Sequence, residues 1–252
     1  MVGTFAPDLE YFLRLRSGGG FGHTLPGAFL QSLPIALVTL WLFHRFVKVP
    51  LVELLPLGWQ QRLQAYLGIF HFGGVRRFLL ICASVLIGIA THILWDSFTH
   101  SEYWPYEHIA FLSATIALPP DRTYQSYQVL QYLSSVAGCL ILAVWAWLWY
   151  RSATPSQQPD HAVIPASRRI WIVVRICLIS ILCGLTAAAI SVLSAGPWDI
   201  SRSHTADAVV VTAAVAVVTA GALVWWQLVI YGAFRLYRMR AETDAPSCST
   251  ED

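Results

Sequence analysis

The sequence predicts an all-α fold that crosses a membrane about five times, with short loops between the helices. Hydrophobic residues make up 56% of the 252 residues and charged residues only 12%, whereas soluble domains carry about 25% charged residues. The mean hydropathy is +0.57. Eleven Trp and ten Tyr suit the interfacial belts of a bilayer, where an apolar ring meets a wet edge.

Five apolar segments approach or exceed the roughly 20 residues that a helix needs to cross a bilayer. Pro34 lies inside the first segment, which a membrane helix tolerates because neighbouring groups can satisfy the freed carbonyl. A polar linker near 152–167 precedes the last two segments, and the acidic tail 241–252 is predicted to be disordered. We therefore expect one integral membrane domain over residues 1–240, with spans at about 29–48, 77–95, 129–150, 170–195 and 208–234.

Lys and Arg are unevenly distributed between the loops, and this asymmetry predicts the orientation. The loops 49–76 and 151–169 and the C-terminal tail are basic, whereas 96–128 and 196–207 hold one arginine each. The positive-inside rule places the basic segments, including the C-terminus, in the cytoplasm. The N-terminal segment then faces outward, although two arginines in it oppose this orientation.

Other features narrow the class of function. The net charge of +2 is too small to indicate a nucleic-acid partner. The five Cys form no Cys-x-x-Cys pair, so neither a zinc ribbon nor a redox pair is indicated. A Gly-x-Ser-x-Gly elbow, a Walker loop and a dinucleotide-binding glycine pattern are absent from the sequence. The remaining partners are the lipid bilayer and a lipid or amphiphilic substrate, and no oligomeric state is indicated.

Polar chemistry collects where the second apolar segment ends. His92, Asp96 and His100 are spaced four residues apart, so they fall within roughly 80° of the circumference of a helix. Two imidazoles and a carboxylate on one helical face are a common set of metal ligands. Ionisable residues at a membrane boundary are costly to keep, and they therefore indicate a functional site.

Residues near the N-terminus are expected on the same side of the membrane. Asp8 and Glu10 precede the first span, and His23 stands directly before it. Thr24 is a suitable helix cap and Pro26 fits the first helical turn. Convergence of the two regions predicts a metal site with Asp8, His23, His92, Asp96 and His100 as ligands.

This ligand set favours a divalent transition metal, with zinc first. Imidazoles with carboxylates suit zinc, manganese or iron, whereas magnesium and calcium prefer oxygen ligands alone. Zinc lowers the pKa of bound water to about 7, and Glu10 or Glu107 could serve as general base. These parts predict hydrolysis of a lipid-like ester or phosphoester at the non-cytoplasmic face.

Each residue also has a simpler interpretation. His92 and Asp96 could be a hydrogen-bonded helix-packing pair, and His100 could be solvated beyond the helix end. Asp8 could complement a helix dipole, and Glu10 could be a surface carboxylate. The chain could then be a non-catalytic multi-pass membrane protein with a structural His/Asp cluster. A transporter is a further alternative, but its usual sequence repeats are not evident.

Four stretches resemble a bacterial inner-membrane family of unknown function, of the domain of unknown function 4184 type: Ala6–Phe12, Phe21–Gly27, His92–His100 and Gln128–Gly138. The resemblance covers roughly residues 1–150, and the last two spans only by hydropathy. It implies a multi-pass protein of the bacterial inner membrane. That family is similar to membrane-bound metal-dependent hydrolases, which share a His/Asp motif style with zinc-dependent phospholipases.

The sequence departs from the family at its start. Members usually carry a Pro-Phe-Thr-x-x-His motif upstream of the Asp motif, but here Met1 stands six residues before Pro7. The resemblance therefore predicts either a longer protein or a chain without that histidine ligand.

Overall fold

The computed structural model describes residues 2–14, 20–118, 122–156, 164–200 and 205–244. Most of these residues are helical, and within them five helices are long and apolar enough to cross a membrane. The predicted all-α, multi-pass fold is therefore confirmed. The first span covers Leu25–Leu54, and the others lie on helices α7 (Val75–Thr99), α10 (Ser126–Ser152), α11 (Ala166–Ile200) and α12 (Thr205–Asp244).

The first span is not a uniform α-helix. Three α-helical stretches, α3 (Leu25–Gly27), α4 (Leu33–Leu42) and α5 (Lys48–Leu54), alternate with π-helical turns at Ala28–Ser32 and Phe43–Val47. Thr24 caps the span as predicted, because its Oγ1 accepts a hydrogen bond from the backbone N–H of Gly27 at 3.1 Å. Before it stands a 3₁₀ turn, Phe21–His23.

Two short N-terminal helices, α1 (Val2–Phe5) and α2 (Leu9–Arg14), pack among the spans. Helix α1 lies against α7 at a close contact between Gly3 and Gly88, where an added Cβ on Gly3 would meet the Val85 carbonyl oxygen at 2.3 Å. Val85 is ten residues into α7, about 15 Å from its start. The N-terminal segment therefore reaches the middle of the bundle, which the sequence did not predict.

Two apolar clusters hold the spans together. The first joins the N-terminal segment to the first and second spans. Its buried members are Ala6, Ala28, Ala36, Val85 and Ile89. The second cluster joins the first span to α11 and α12. Its buried members are Val47, Leu54, Ile176, Leu228 and Val229.

Small elements connect the spans. Helix α6 (Leu57–Leu63) and a 3₁₀ turn, Gln64–Tyr66, follow the first span. Helices α8 (Trp104–His108) and α9 (Ala110–Ser113) and a hairpin of antiparallel strands, β1 (Thr115–Leu118) and β2 (Arg122–Gln125), follow α7. Among the described residues, the hairpin is the one sheet, and the sequence did not predict it.

The boundaries of the C-terminal spans differ from the sequence expectations. Helix α11 continues to Ile200 and α12 begins at Thr205, so the connection expected at 196–207 is shorter. Helix α12 extends to Asp244, so residues 241–244 are helical, whereas 245–252 lie outside the described residues. Within the predicted linker, 157–163 also lie outside the described residues.

Candidate metal centre

Three chain segments meet beside the C-terminal part of α7. Asp8 lies in the turn between α1 and α2, and His23 ends the 3₁₀ turn before the first span. His92 and Asp96 are one helical turn apart on α7. A hydrogen bond from the buried hydroxyl of Ser32 to the Gly22 carbonyl, at 3.0 Å, fixes the turn that carries His23 against the first span.

Four of the five predicted ligands form one cluster. The Nε2 atom of His23 lies 3.4 Å from Asp8 Oδ1 and 3.4 Å from Asp96 Oδ2. The Nε2 atom of His92 lies 3.6 Å from Asp8 Oδ2 and 3.1 Å from Asp96 Oδ2. Each imidazole therefore faces both carboxylates. Potential ligand atoms of Asp8, His23 and His92 all lie within 4.8 Å of one another.

The spacing of these atoms is compatible with a shared ion as well as with direct ion pairs. Two ligands about 2.1 Å from a tetrahedral ion are separated by about 3.4 Å. The four distances in the cluster run from 3.1 to 3.6 Å, on both sides of that value. Charge-assisted N–H···O bonds are shorter, at about 2.7–2.9 Å. Ligand atoms of Asp8, His23 and His92 are therefore close enough to share one ion, and Asp96 Oδ2 lies within 3.4 Å of both imidazoles.

The Nε2 atom of His92 gives an independent indication. This atom is shielded from solvent and has no hydrogen-bond partner, although Asp96 Oδ2 is only 3.1 Å away. A buried polar atom without a partner carries a desolvation penalty of about 1–3 kcal/mol. A metal ion between the side chains would satisfy this atom, so the residues present fit a divalent ion.

Without a metal ion, the electrostatics of the cluster favour a protonated imidazole. Hydrogen bonds to Asp8 and then Asp96 raise the pKa of His23 to about 9. Burial and the nearby carboxylate of Asp8 raise the pKa of Tyr11 to about 12, so this phenol remains neutral and can donate a hydrogen bond. The site therefore concentrates negative charge that a cation, either a proton or a metal, would balance.

The fifth predicted ligand, His100, lies at the edge of the site. It lines the cavity above the cluster, but its Nδ1 atom lies 3.2 Å from the Asp96 carbonyl oxygen and 3.3 Å from Thr99 Oγ1. That nitrogen is thus engaged with its own helix end. Ligation by His100 stays a prediction.

The structure does not bring the predicted base, Glu10, to the cluster. Its side chain is only 4% exposed, it accepts a hydrogen bond from the Gln31 amide, and it does not line the cavity. The other candidate, Glu107, is exposed on α8 and is also absent from the cavity wall. A carboxylate that the sequence analysis did not single out, Glu102, lines the cavity instead.

The cavity above the cluster has a volume of about 470 Å³ and is open to the protein surface. Besides Glu102, its wall includes Tyr11, Tyr103 and Gln131. Sequence reasoning missed both tyrosines, although each stands three residues after a singled-out residue, Asp8 or His100. Neither pair lies within one helix, because Asp8 precedes α2 and His100 follows α7, so helical periodicity could not have indicated them.

The comparisons with known proteins identify the family. The family model described as Domain of unknown function (DUF4184) matches residues 1–233. The chain belongs to this family. The match includes the last two spans, where the sequence analysis expected likeness only by hydropathy. No curated protein matches the chain, and no solved structure matches it.

Proposed function

We propose that this membrane protein holds one divalent transition metal, zinc most readily, and hydrolyses a lipid-like ester or phosphoester. Asp8, His23, His92 and Asp96 would be the ligands. The observation that carries the proposal is the convergence of Asp8, His23 and His92, whose ligand atoms all lie within 4.8 Å of one another. Two imidazoles with two carboxylates suit zinc, manganese or iron.

When bound, such an ion supplies Lewis-acid chemistry and, for zinc, brings the pKa of water to about 7. The residues of the chain supply the remaining parts. The Tyr11 phenol, which stays protonated at neutral pH, can donate a hydrogen bond to a substrate oxygen. Glu102 is exposed and lines the cavity, so it can accept a proton from water. The sequence analysis predicted Glu10 for this role.

The position of the cavity supports an amphiphilic substrate. The cluster lies beside the outer part of α7, whose C-terminal end reaches Thr99, so the site is at headgroup depth. Bulky apolar side chains surround this end of the bundle: Leu94 is 62% exposed and Trp104 is 65% exposed. A lipid could therefore keep its chains in the bilayer while its polar linkage enters the cavity.

One specific observation favours a structural role instead. The cluster joins the α1–α2 turn, the start of the first span and α7, so a metal there would staple the N-terminal segment to the bundle. A non-catalytic metal site would explain the same contacts. The two functions differ in turnover, not in metal content.

Metal content and turnover together test the proposal. Detergent-purified protein should contain about one transition metal per chain by elemental analysis, and His92→Ala should lose it, whereas His108→Ala on α8 should retain it. Wild-type protein should hydrolyse a fluorogenic phosphodiester that carries one acyl chain, and His92→Ala should not. Metal without turnover would leave the structural role, and equal metal content in wild type and His92→Ala would refute the metal site.

The location of the site is a second part of the proposal. We propose that the cluster faces the non-cytoplasmic side of a bacterial inner membrane and that the C-terminus is cytoplasmic, and the uneven distribution of Lys and Arg supports this orientation. In a chain without native cysteines, a cysteine at Ser101 should react with an impermeant reagent added to intact cells. A cysteine at Ser152 should react only after lysis, and the reverse pattern would overturn the orientation.

A further inference from the structure

A second cavity lies at the far end of the first span, and we call it the basic cavity. Its volume is about 170 Å³, and its wall includes His44, Arg45, Lys48 and Arg235. Lys48 follows His23 by 25 residues, which corresponds to about 37 Å along a helix. The basic cavity therefore lies at the opposite end of the first span from the metal centre, at a distance comparable to the hydrocarbon core of a bilayer, about 30 Å.

The wall of the basic cavity is cationic. Three of its residues carry a fixed positive charge, and none is Asp or Glu. The Lys48 ammonium donates to the Gly68 carbonyl at 2.5 Å, which leaves its charge uncompensated. Arg45 contacts an aromatic ring, with its guanidinium carbon 5.7 Å from the centroid of Phe46. Arg235 pairs with the buried carboxylate of Glu53, so the surroundings retain a net charge of about +2.

A fourth polar side chain, His44, also lines this cavity. The Nδ1 atom of His44 is shielded from solvent and has no hydrogen-bond partner. The ring is fixed by stacking on Phe70, with centroids 4.1 Å apart and planes at 11°. His44 lines the cavity beside the three cations, so it adds a fourth polar side chain to the wall.

The rim of the basic cavity is apolar and exposed. Ile69, in the loop that forms one wall, is 97% exposed, and Trp41 on the other side is 46% exposed. Side chains of this kind are stable at the boundary between headgroups and hydrocarbon. The ligand should therefore combine an anionic group, which enters the cavity, with apolar chains that contact the rim.

The size of the cavity limits what enters it. A volume of about 170 Å³ is enough for a phosphate group but not for a whole lipid. Basic pockets between membrane helices bind anionic lipid headgroups by this kind of charge complementarity. We infer that the basic cavity binds the phosphate of an anionic phospholipid, with the acyl chains outside against the apolar rim.

Lipid titrations of the full chain in detergent micelles test this inference. The probes are fluorescent phosphatidylglycerol, fluorescent phosphatidylcholine and unlabelled inorganic phosphate as competitor. Arg45→Gln and Lys48→Gln should each weaken phosphatidylglycerol binding about fivefold. The matched control is Arg151→Gln, which removes an exposed cation at the end of α10 that stacks on Trp147 and does not line the cavity.

The outcomes separate the alternatives. Selective binding of phosphatidylglycerol that weakens in both cavity variants and not in the control is the expected result. Equal binding of phosphatidylcholine, or equal weakening by Arg151→Gln, would show non-specific attraction and overturn the inference. Full displacement of the lipid by millimolar inorganic phosphate would show that the anion alone accounts for binding, and it would overturn the assignment to a phospholipid. If Lys48→Gln unfolds, Arg45→Gln decides the question, because the Arg45 side chain is exposed.

Discussion

Zinc binding by this protein should release protons and strengthen as the pH rises towards 9. In the metal-free protein, hydrogen bonds to Asp8 and Asp96 raise the pKa of His23 to about 9. An imidazole must be neutral to donate its electron pair to a metal. At neutral pH, His23 must therefore lose a proton before it can coordinate the ion.

The size of this effect follows from the pKa. At pH 7, about one molecule in a hundred carries neutral His23, so the apparent affinity should be about 100-fold below its plateau, or about 2.7 kcal/mol. Between pH 7 and 9, each pH unit should raise the apparent affinity about tenfold. Above pH 9 the increase should level off.

Isothermal titration calorimetry with a competing zinc chelator can measure both the affinity and the protons released. Titrations at one pH in buffers of different ionisation enthalpy give the proton count. His23→Gln should reduce that count by about one and flatten the pH dependence. His108→Gln is the matched control, because His108 is exposed on α8 and bonds its own helix, with Nδ1 2.9 Å from the Trp104 carbonyl oxygen.

Two results would refute the reasoning. One is an apparent zinc affinity that does not change between pH 7 and 9 after correction for the chelator. The other is a proton count that is the same in His23→Gln and wild type. Either result would mean that His23 does not coordinate the ion, and the site would have to be built from the remaining side chains.

Three further outcomes are expected. Gly88→Ala should lower metal affinity at least tenfold, because the new Cβ would lie 2.9 Å from the backbone of Gly3 and would displace α1. Gly138→Ala is the control and should bind metal as the wild type does, because a Cβ at Gly138 would have no atom within 4 Å. Arg235→Leu should lower stability to denaturant by about 3–5 kcal/mol because it removes the Arg235 cation from the buried Glu53 carboxylate, and equal stability of the two proteins would contradict this. Protonation of His23 stabilises the metal-free protein by roughly 3 kcal/mol, because folding raises the pKa of His23 from 6.5 to about 9. This stabilisation is complete below pH 6.5 and is lost as the pH rises through about 9. The melting temperature at pH 9.5 should therefore be lower than at pH 6.5, and a constant value would count against it.

Much of the site could be predicted from the sequence because its parts follow local rules. His92 and Asp96 are one helical turn apart, so any helix through them brings both side chains to one face. Thr24 and Pro26 mark the start of the first span, which placed His23 at a helix end. The prediction of a shared cluster needed one further assumption, that these ends are adjacent in space.

The assignment of a base could not be made in the same way. Glu10 and Glu102 are both carboxylates near predicted ligands, and nothing in the local sequence distinguishes them. Packing of α2 turns Glu10 towards Gln31, whereas Glu102 follows the end of α7 and reaches the cavity wall. The direction of a side chain on a short helix depends on which neighbours bury it, and these neighbours are distant in sequence.

The sequence by itself determined that this chain forms five apolar helices, because each long apolar segment must satisfy its own backbone hydrogen bonds in a membrane. It also determined which ends of those helices carry ionisable groups. Only the tertiary structure decided that α1 enters the bundle at the Gly3–Gly88 contact and thereby places Asp8 opposite His92. That contact depends on the shape of two backbones that are far apart in sequence, and no periodicity of either segment encodes it.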